Sequence, residues 1–238
     1  MAEEVAFTNS SGSVLRVAGS ASLSLVGCWV EAQGEDGVTL WVREEASASL
    51  TGGRLLSASR SHPTVWVADE SKMEGEGVTF TNAVGLVLQP RDSASLLLLN
   101  CSVEAKGESG VALWPIHSAE AQLRGGHVRS AGWPHPAVWL GGESRLHAVE
   151  VDLTNTAGAA LLVRQSSLLN LFRCNVQAPC GPEGALGASE NSVVLLVECA
   201  LVCLNGEAPV TYGDDPDLTI SETTLNGRLT NAVMHREK

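Results

Sequence analysis

The stretch Gly37-Val-Thr-Leu-Trp-Val returns 73 residues later as Gly110-Val-Ala-Leu-Trp-Pro, and this recurrence decides the fold. The match continues without a gap when residues 37–82 are placed over residues 110–155, where 20 of 46 positions are identical. A fixed internal period of this kind marks repeat architectures, in which each unit packs on the next. The chain is therefore predicted to be a repeat protein rather than a domain with one central core.

The same step of 73 residues connects Cys28 to Cys101 and Cys174. It predicts one domain over residues 1–238 that contains three 73-residue super-repeats and a short tail. The predicted super-repeats and tail are residues 5–82, 83–155, 156–231 and 232–238.

Each super-repeat divides into three stretches of about 24 residues that open on a small residue and an alternating apolar segment, as in Thr64-Val-Trp-Val and Gly85-Leu-Val-Leu. Short strands at this period cannot bury their apolar faces alone and must stack on their neighbours. The predicted fold is all-β, a single-stranded right-handed parallel β-helix of about nine coils. A β-propeller is the alternative, and the scarcity of hairpin turns argues against it.

Within the coils, alternation predicts which apolar residues point inward. Val38, Val65, Leu86, Val111 and Val138 are expected to form one interior ladder. The cysteines, too, are expected to point inward as reduced thiols, since no Cys-x-x-Cys pair occurs. The six cysteines are Cys28, Cys101, Cys174, Cys180, Cys199 and Cys203. Only Cys174 and Cys199, 25 residues apart on adjacent coils, are expected to come close enough to bond, and they are predicted to be buried reduced neighbours.

The net charge of the chain limits the classes of partner that are expected. It has 238 residues, with 27 Asp and Glu against 15 Lys and Arg, which gives a formal net charge of −12. Nucleic acids and anionic membranes attract basic surfaces, so neither is expected as a partner. The first residues are acidic where a secretory signal is basic, and no apolar run reaches the roughly 18 residues of a membrane span. A cytoplasmic location is therefore predicted.

No group of residues in the sequence has the pattern of a catalytic or metal site. Asp214, Asp215 and Asp217 lie in a turn-forming segment without a nearby base, and they are interpreted as a solvated corner. The histidines show no metal-binding spacing. The chain is accordingly predicted to be no enzyme, with no catalytic residues, no metal and no cofactor. The histidines are His62, His117, His127, His135, His147 and His235.

Four tryptophans are the candidate binding residues. If the valines and leucines beside them point inward, then Trp41, Trp66, Trp114 and Trp139 point outward on one face. Clustered outward aromatic residues are typical of contact surfaces for proteins or sugars. The alternative is that a corner loop or a chain end covers them. Trp29 is expected to lie apart from this face.

The recurring pattern over residues 93–113, Ser-Ala-Ser-Leu-x-Leu-x-x-Cys-x-Val-x-Ala-x-Gly-x-x-Gly-Val-x-Leu, resembles the repeats of pectin-lyase-like right-handed β-helix proteins. It is most similar to their non-catalytic carbohydrate-binding-and-sugar-hydrolase-type repeats. The segment Gly77-Val-Thr-Phe-Thr-Asn-Ala-Val-Gly-Leu-Val-Leu is also similar to the passenger rods of autotransporters. These resemblances imply the fold more strongly than a function, because this scaffold hosts unrelated activities.

Two functions are consistent with these features. The first is a non-catalytic intracellular scaffold that binds a protein partner through the tryptophan face and the coil corners. The alternative is a carbohydrate-binding or polysaccharide-cleaving β-helix, or a passenger fragment of a secreted adhesin.

Overall fold

The structure is a computed structural model that describes residues 1–179, 184–206, 208–213 and 216–234. Asp214, Asp215, Cys180 and His235 lie outside the described residues. The described part contains strands and turns and no helix. It therefore contains no helix that is long and apolar enough to cross a membrane.

Twenty-six strands are present among the described residues. In chain order they are β1 (Ala2–Glu3), β2 (Ala6–Asn9), β3 (Leu15–Val17), β4 (Ser22–Val26), β5 (Trp29–Ala32), β6 (Leu40–Val42), β7 (Ser47–Thr51), β8 (Arg54–Ser57), β9 (Val65–Val67), β10 (Lys72–Glu76), β11 (Thr79–Asn82), β12 (Leu88–Pro90), β13 (Ser95–Ala105), β14 (Glu120–Ser130), β15 (Val138–Leu140), β16 (Arg145–Val149), β17 (Asp152–Asn155), β18 (Leu161–Val163), β19 (Leu168–Phe172), β20 (Asn175–Ala178), β21 (Leu186–Ala188), β22 (Val193–Val197), β23 (Ala200–Cys203), β24 (Val210–Tyr212), β25 (Asp217–Leu225) and β26 (Arg228–Met234).

Three short strands make one coil, and each strand pairs in parallel with its equivalents in the coils before and after. We call the three resulting faces A, B and C in chain order; β7, β8 and β9 are one coil's contribution to them. The long strands β13 and β14 run through faces A and B without a break. The predicted all-β parallel solenoid of about nine turns is confirmed, and the antiparallel blades of a propeller are excluded. Within the described ranges, the strand β26 runs antiparallel to β25, and a single antiparallel bridge joins Gly184 to Val210.

The interior is filled by one side of every strand, because successive residues of a strand point to opposite faces. On face C the buried ladder consists of Leu40, Val65, Leu88, Leu113 and Val138. The predicted ladder was right at Val65 and Val138. It was wrong at three positions, where the true members lie two residues further along the chain than Val38, Leu86 and Val111. Residues i and i+2 share a face, so alternation alone cannot distinguish them.

In every coil, the chain turns from face A to face B at a residue in the left-handed conformation, and at Gly52-Gly53 and Gly125-Gly126 the second glycine is left-handed as well. Glycine and asparagine adopt positive φ most readily, whereas other residues pay a steric penalty there. The residues at this corner, with φ between 47° and 64°, are Glu4, Gly27, Gly52, Gly77, Asn100, Gly125, Glu150, Arg173, Glu198 and Glu222.

This corner gives a stability prediction. Glu150 is exposed and has a φ of 57°. Glu150→Gly is expected to raise the free energy of unfolding by about 0.5–1 kcal/mol. It removes the steric strain of a left-handed residue from the folded state, and this gain exceeds the loss due to the larger conformational entropy that glycine gives the unfolded chain. Glu120→Gly, at an exposed position inside β14, is the control and is expected to lower it by a similar amount. Denaturant unfolding measures both, and a loss of stability in Glu150→Gly would contradict the interpretation.

The corner between faces B and C is longer and varies between coils. Residues 58–64, 106–112 and 131–137 are seven-residue connections, whereas residues 83–87 are a five-residue connection. The shorter connection lies between longer ones, so the surface is depressed at that coil. Asn82 supports the short connection: its side-chain amide donates to the carbonyl oxygens of Ser59 and Leu86 and accepts from the backbone of Gly85.

The cysteines differ from expectation at one position. Cys28, Cys101, Cys174 and Cys199 are buried free thiols, as predicted. Cys203 takes part in a disulfide, so the expectation that all thiols are reduced was wrong there. The prediction compared cysteines within one column of the solenoid. Cys203 lies in a different column, at the end of β23, where that comparison does not apply.

Candidate functional site

The four candidate tryptophans occupy one outward column of face C. Trp41 is in register with Trp66, and Gln89 follows Trp66 on the next coil. Trp114 and Trp139 come after Gln89 and stack on each other. Each indole is half-buried, because its inward neighbours in the strand belong to the core. The structure thus divides the column into two stacked pairs separated by the coil of Gln89.

The first pair is covered by cationic side chains. The rings of Trp41 and Trp66 stack at 5.1 Å with an interplanar angle of 12°. The guanidinium groups of Arg16 and Arg43 lie 4.5 and 5.2 Å from the centre of Trp41, and that of Arg91 lies 5.6 Å from Trp66. The indole N–H groups of both rings are buried, without an acceptor in the described part of the chain. In these cation–π contacts, the guanidinium groups occupy the ring faces that a ligand would otherwise contact.

The second pair has the same geometry without the arginine cover. Trp114 and Trp139 stack at 5.0 Å with an interplanar angle of 13°, and His135 stacks on Trp139 at 6.1 Å. Among the described residues, no arginine lies over either ring. The pair instead borders two surface recesses, one on each side of the face C strands. We call these the corner recess and the turn recess.

The corner recess has a volume of about 680 Å³ and lies where the connection between faces B and C is short. Leu86 and Gln89 form part of its floor, and the longer connections of neighbouring coils form its walls. The side chains of Arg60 and Glu108, which are exposed and carry opposite charges, line these walls. Trp114 closes the side toward face C, so the recess combines an aromatic surface with two charges.

The turn recess, of about 440 Å³, lies at the corner between faces C and A. His117, Arg164 and Glu190 are among its lining residues. The Nδ1 atom of His117 lies 2.8 Å from the Asp92 carboxylate, which is also 2.9 Å from Arg91. Partial burial raises the pKa of Asp92, but the hydrogen bonds from His117 and Arg91 outweigh it, so that the pKa lies below its usual value.

Sequence reasoning missed Trp133. Its side chain is 57% exposed in the connection 131–137, on the same coil as Trp139, and its backbone N–H donates to the carbonyl of Glu108 on the wall of the corner recess. The available signal was the doublet Trp133-Pro134 inside a Gly- and Pro-containing loop. Trp29, on face B, is 41% exposed and borders neither the corner recess nor the turn recess.

A polar ladder on face B was also missed. Ser102 and His127 are in register on adjacent coils, with the Ser102 hydroxyl 2.8 Å from His127 Nε2, and Asp152 follows on the next coil. The same nitrogen lies 3.4 Å from the Glu104 carboxylate. Both contacts engage the same ring nitrogen of His127, and we interpret the group as a structural polar ladder of the surface.

The remaining candidate groups are dispersed. Among the described residues, no three His, Cys, Asp or Glu side chains are arranged to hold a metal ion. Of the acidic cluster near the C-terminus, Asp217 lies at the start of β25, and the other two members lie outside the described residues.

The chain was compared with known proteins at three levels. Searches of protein-family models, of curated proteins and of solved structures returned no match.

Proposed function

We propose that the chain is a non-catalytic binding scaffold that takes an extended segment of a protein partner across the Trp114–Trp139 pair. The observation that carries this proposal is the position of the pair between the corner recess and the turn recess, without the arginine cover of the first pair. Half-buried aromatic residues in a rigid frame are the usual anchors of protein interfaces. The parallel solenoid supplies such a frame.

A peptide suits the surface for two reasons. In a stacked pair, the inner faces of the two indole rings contact each other. The outward edges of the rings therefore form a ridge, and the side chains of an extended peptide can lie on both sides of it. The recesses on either side carry charges of both signs, Arg60 and Glu108 in one, Arg164 and Glu190 in the other. A peptide offers both charges and backbone amides, whereas a neutral glycan offers neither charge.

A carbohydrate is the second candidate ligand. Trp114 borders the corner recess, and an aromatic ring beside polar groups is a surface on which a sugar can stack. The resemblance of the repeats to pectin-lyase-like proteins and to autotransporter passengers supports this alternative. A cytoplasmic location stays a prediction, and the disulfide of Cys203 weighs against it, because cytosolic thiols are kept reduced.

The test selects ligands for the purified protein from a random peptide display library and, in parallel, from a glycan array. We expect peptides to be enriched, and Trp114→Ala and Trp139→Ala to weaken their binding about 30-fold each, since an interface anchor contributes about 2 kcal/mol. Trp29→Ala, an exposed tryptophan on another face, is the control and is expected to bind normally. Circular dichroism and thermal unfolding establish that each variant is folded.

Other results separate the alternatives. Enrichment of glycans alone, lost in Trp114→Ala, would replace the peptide proposal with the carbohydrate one. Weakening by Trp66→Ala but not by Trp139→Ala would move the site to the first pair. Equal affinity of all folded variants would refute a role for the tryptophan face.

A further inference from the structure

The interior corner between faces A and B contains a column of small and sulfur-containing side chains. Cys101 is in register with Gly126, and Val151 follows on the next coil. Cys174 and Cys199 occupy the next two coils, where the N–H of Asn175 donates to the Val151 carbonyl and that of Ala200 to the Cys174 carbonyl. Cys174 and Cys199 are thus the only two free cysteines on adjacent coils in the described part of the chain.

The two cysteines occupy equivalent positions on adjacent coils, because the residues that follow them, Asn175 and Ala200, are in register. The sulfur of Cys199 also lies 3.4 Å from the carbonyl oxygen of Leu171, which belongs to the coil of Cys174. Equivalent residues on parallel neighbouring strands are about 4.8 Å apart, which is inside the range of Cα separations that a disulfide spans.

The two neighbouring thiols shift each other's pKa in opposite directions. The interaction with Cys174 lowers the pKa of Cys199 to about 7, despite the opposing effect of burial. The same interaction, together with burial, raises the pKa of Cys174. At Cys101, where neither neighbouring coil contains a cysteine, desolvation is the largest effect and the pKa is raised. Cys199 is therefore the more readily ionised thiol of the pair, and thiolates are the species that oxidants attack.

We propose that Cys174 and Cys199 form an oxidation site at which a hydroperoxide produces a disulfide that joins two adjacent coils. The Cys199 thiolate attacks one oxygen of hydrogen peroxide, the O–O bond breaks, and hydroxide leaves and is protonated to water. Cys199 becomes a sulfenic acid. The Cys174 sulfur then attacks the Cys199 sulfur, the S–O bond breaks, and the departing hydroxide leaves as water with the proton of the Cys174 thiol. Two thiols and one peroxide give one disulfide and two waters.

The crosslink would fasten the C-terminal coils to the rest of the solenoid. In a repeat array each coil contacts only its neighbours, so the ends separate most easily. A bond between these two coils opposes that separation and constrains the unfolded chain over the intervening residues.

The test counts thiols in the full chain before and after treatment with hydrogen peroxide. Treated protein is denatured without reductant and labelled with N-ethylmaleimide, and intact mass gives the number of labels. We expect the wild type to lose two labels with no added oxygen, and its unfolding midpoint to rise by several degrees. Cys101→Ala is the matched control and is also expected to lose two labels.

Two variants make the result specific. Cys174→Ala and Cys199→Ala are each expected to show no paired loss of labels and no rise in the midpoint. In Cys174→Ala, the Cys199 sulfenic acid is expected to be trapped by dimedone. The proposal is wrong if wild-type labels are unchanged at a peroxide concentration that oxidises free glutathione completely. It is also wrong if Cys174→Ala still loses two labels, or if the cysteines gain oxygen without a crosslink.

Discussion

Leu113→Asp is expected to prevent folding or to lower the free energy of unfolding by several kcal/mol. Leu113 has no measurable exposure and links the two four-stranded sheets of face C, because single bridges join it to Leu88 and to Val138. A carboxylate at this point would be buried without a partner in the middle of the solenoid. Leu113→Ala, which leaves a cavity but no charge, is expected to cost about 2–4 kcal/mol.

Urea unfolding measures both variants. His147→Asp adds the same charge at an exposed position of face A and is expected to stay within about 0.5 kcal/mol of the wild type. A soluble Leu113→Asp protein with an unchanged midpoint would show that Leu113 does not lie inside the stack.

Gly126→Ala is expected to lower the free energy of unfolding by at least about 3 kcal/mol. Gly126 has a φ of 80°, and a Cβ atom there would clash with the Cys101 carbonyl oxygen and lie 2.8 Å from the Cys101 nitrogen. Two costs therefore add. The first is the strain of a left-handed residue that has a side chain, and the second is a collision with the backbone of the neighbouring coil, which cannot move away without disturbing the coils stacked on it. Gly53→Ala is expected to behave alike, because its Cβ would meet the backbone of Cys28 in the same way.

The control for this prediction separates the two costs. Gly77 has a φ of 62°, and nothing lies within 4 Å of a Cβ atom added to it. Gly77→Ala should therefore show only the conformational cost, about 1–2 kcal/mol. If Gly126→Ala and Gly77→Ala lost equal stability, the close approach of the coils at Gly126 would not be the reason for the glycine.

The doublets Gly52-Gly53 and Gly125-Gly126 show how much local sequence predicts. Glycine doublets are typical of turns, and the first glycine of each turns the chain from face A to face B. The reason for the second glycine is not local. It lies against the backbone of a residue 25 positions earlier, and only stacking of coils brings the two together.

The amino-acid sequence by itself determined the solenoid. Period-2 alternation decides which side of each strand is apolar, and the repeat of about 24 residues requires that these sides be buried between coils. The same alternation placed Trp41, Trp66, Trp114 and Trp139 outside. Both inferences use the spacing of residues along the chain, which a sequence displays directly.

Tertiary structure alone decided the register between coils. That register makes Leu113, and not Val111, the member of the buried ladder on face C. It also puts arginines over one tryptophan pair and recesses beside the other, although both pairs come from matching segments of sequence. The cause is that such contacts join residues about 25 positions apart, and connections of five or seven residues shift where each coil presents its side chains.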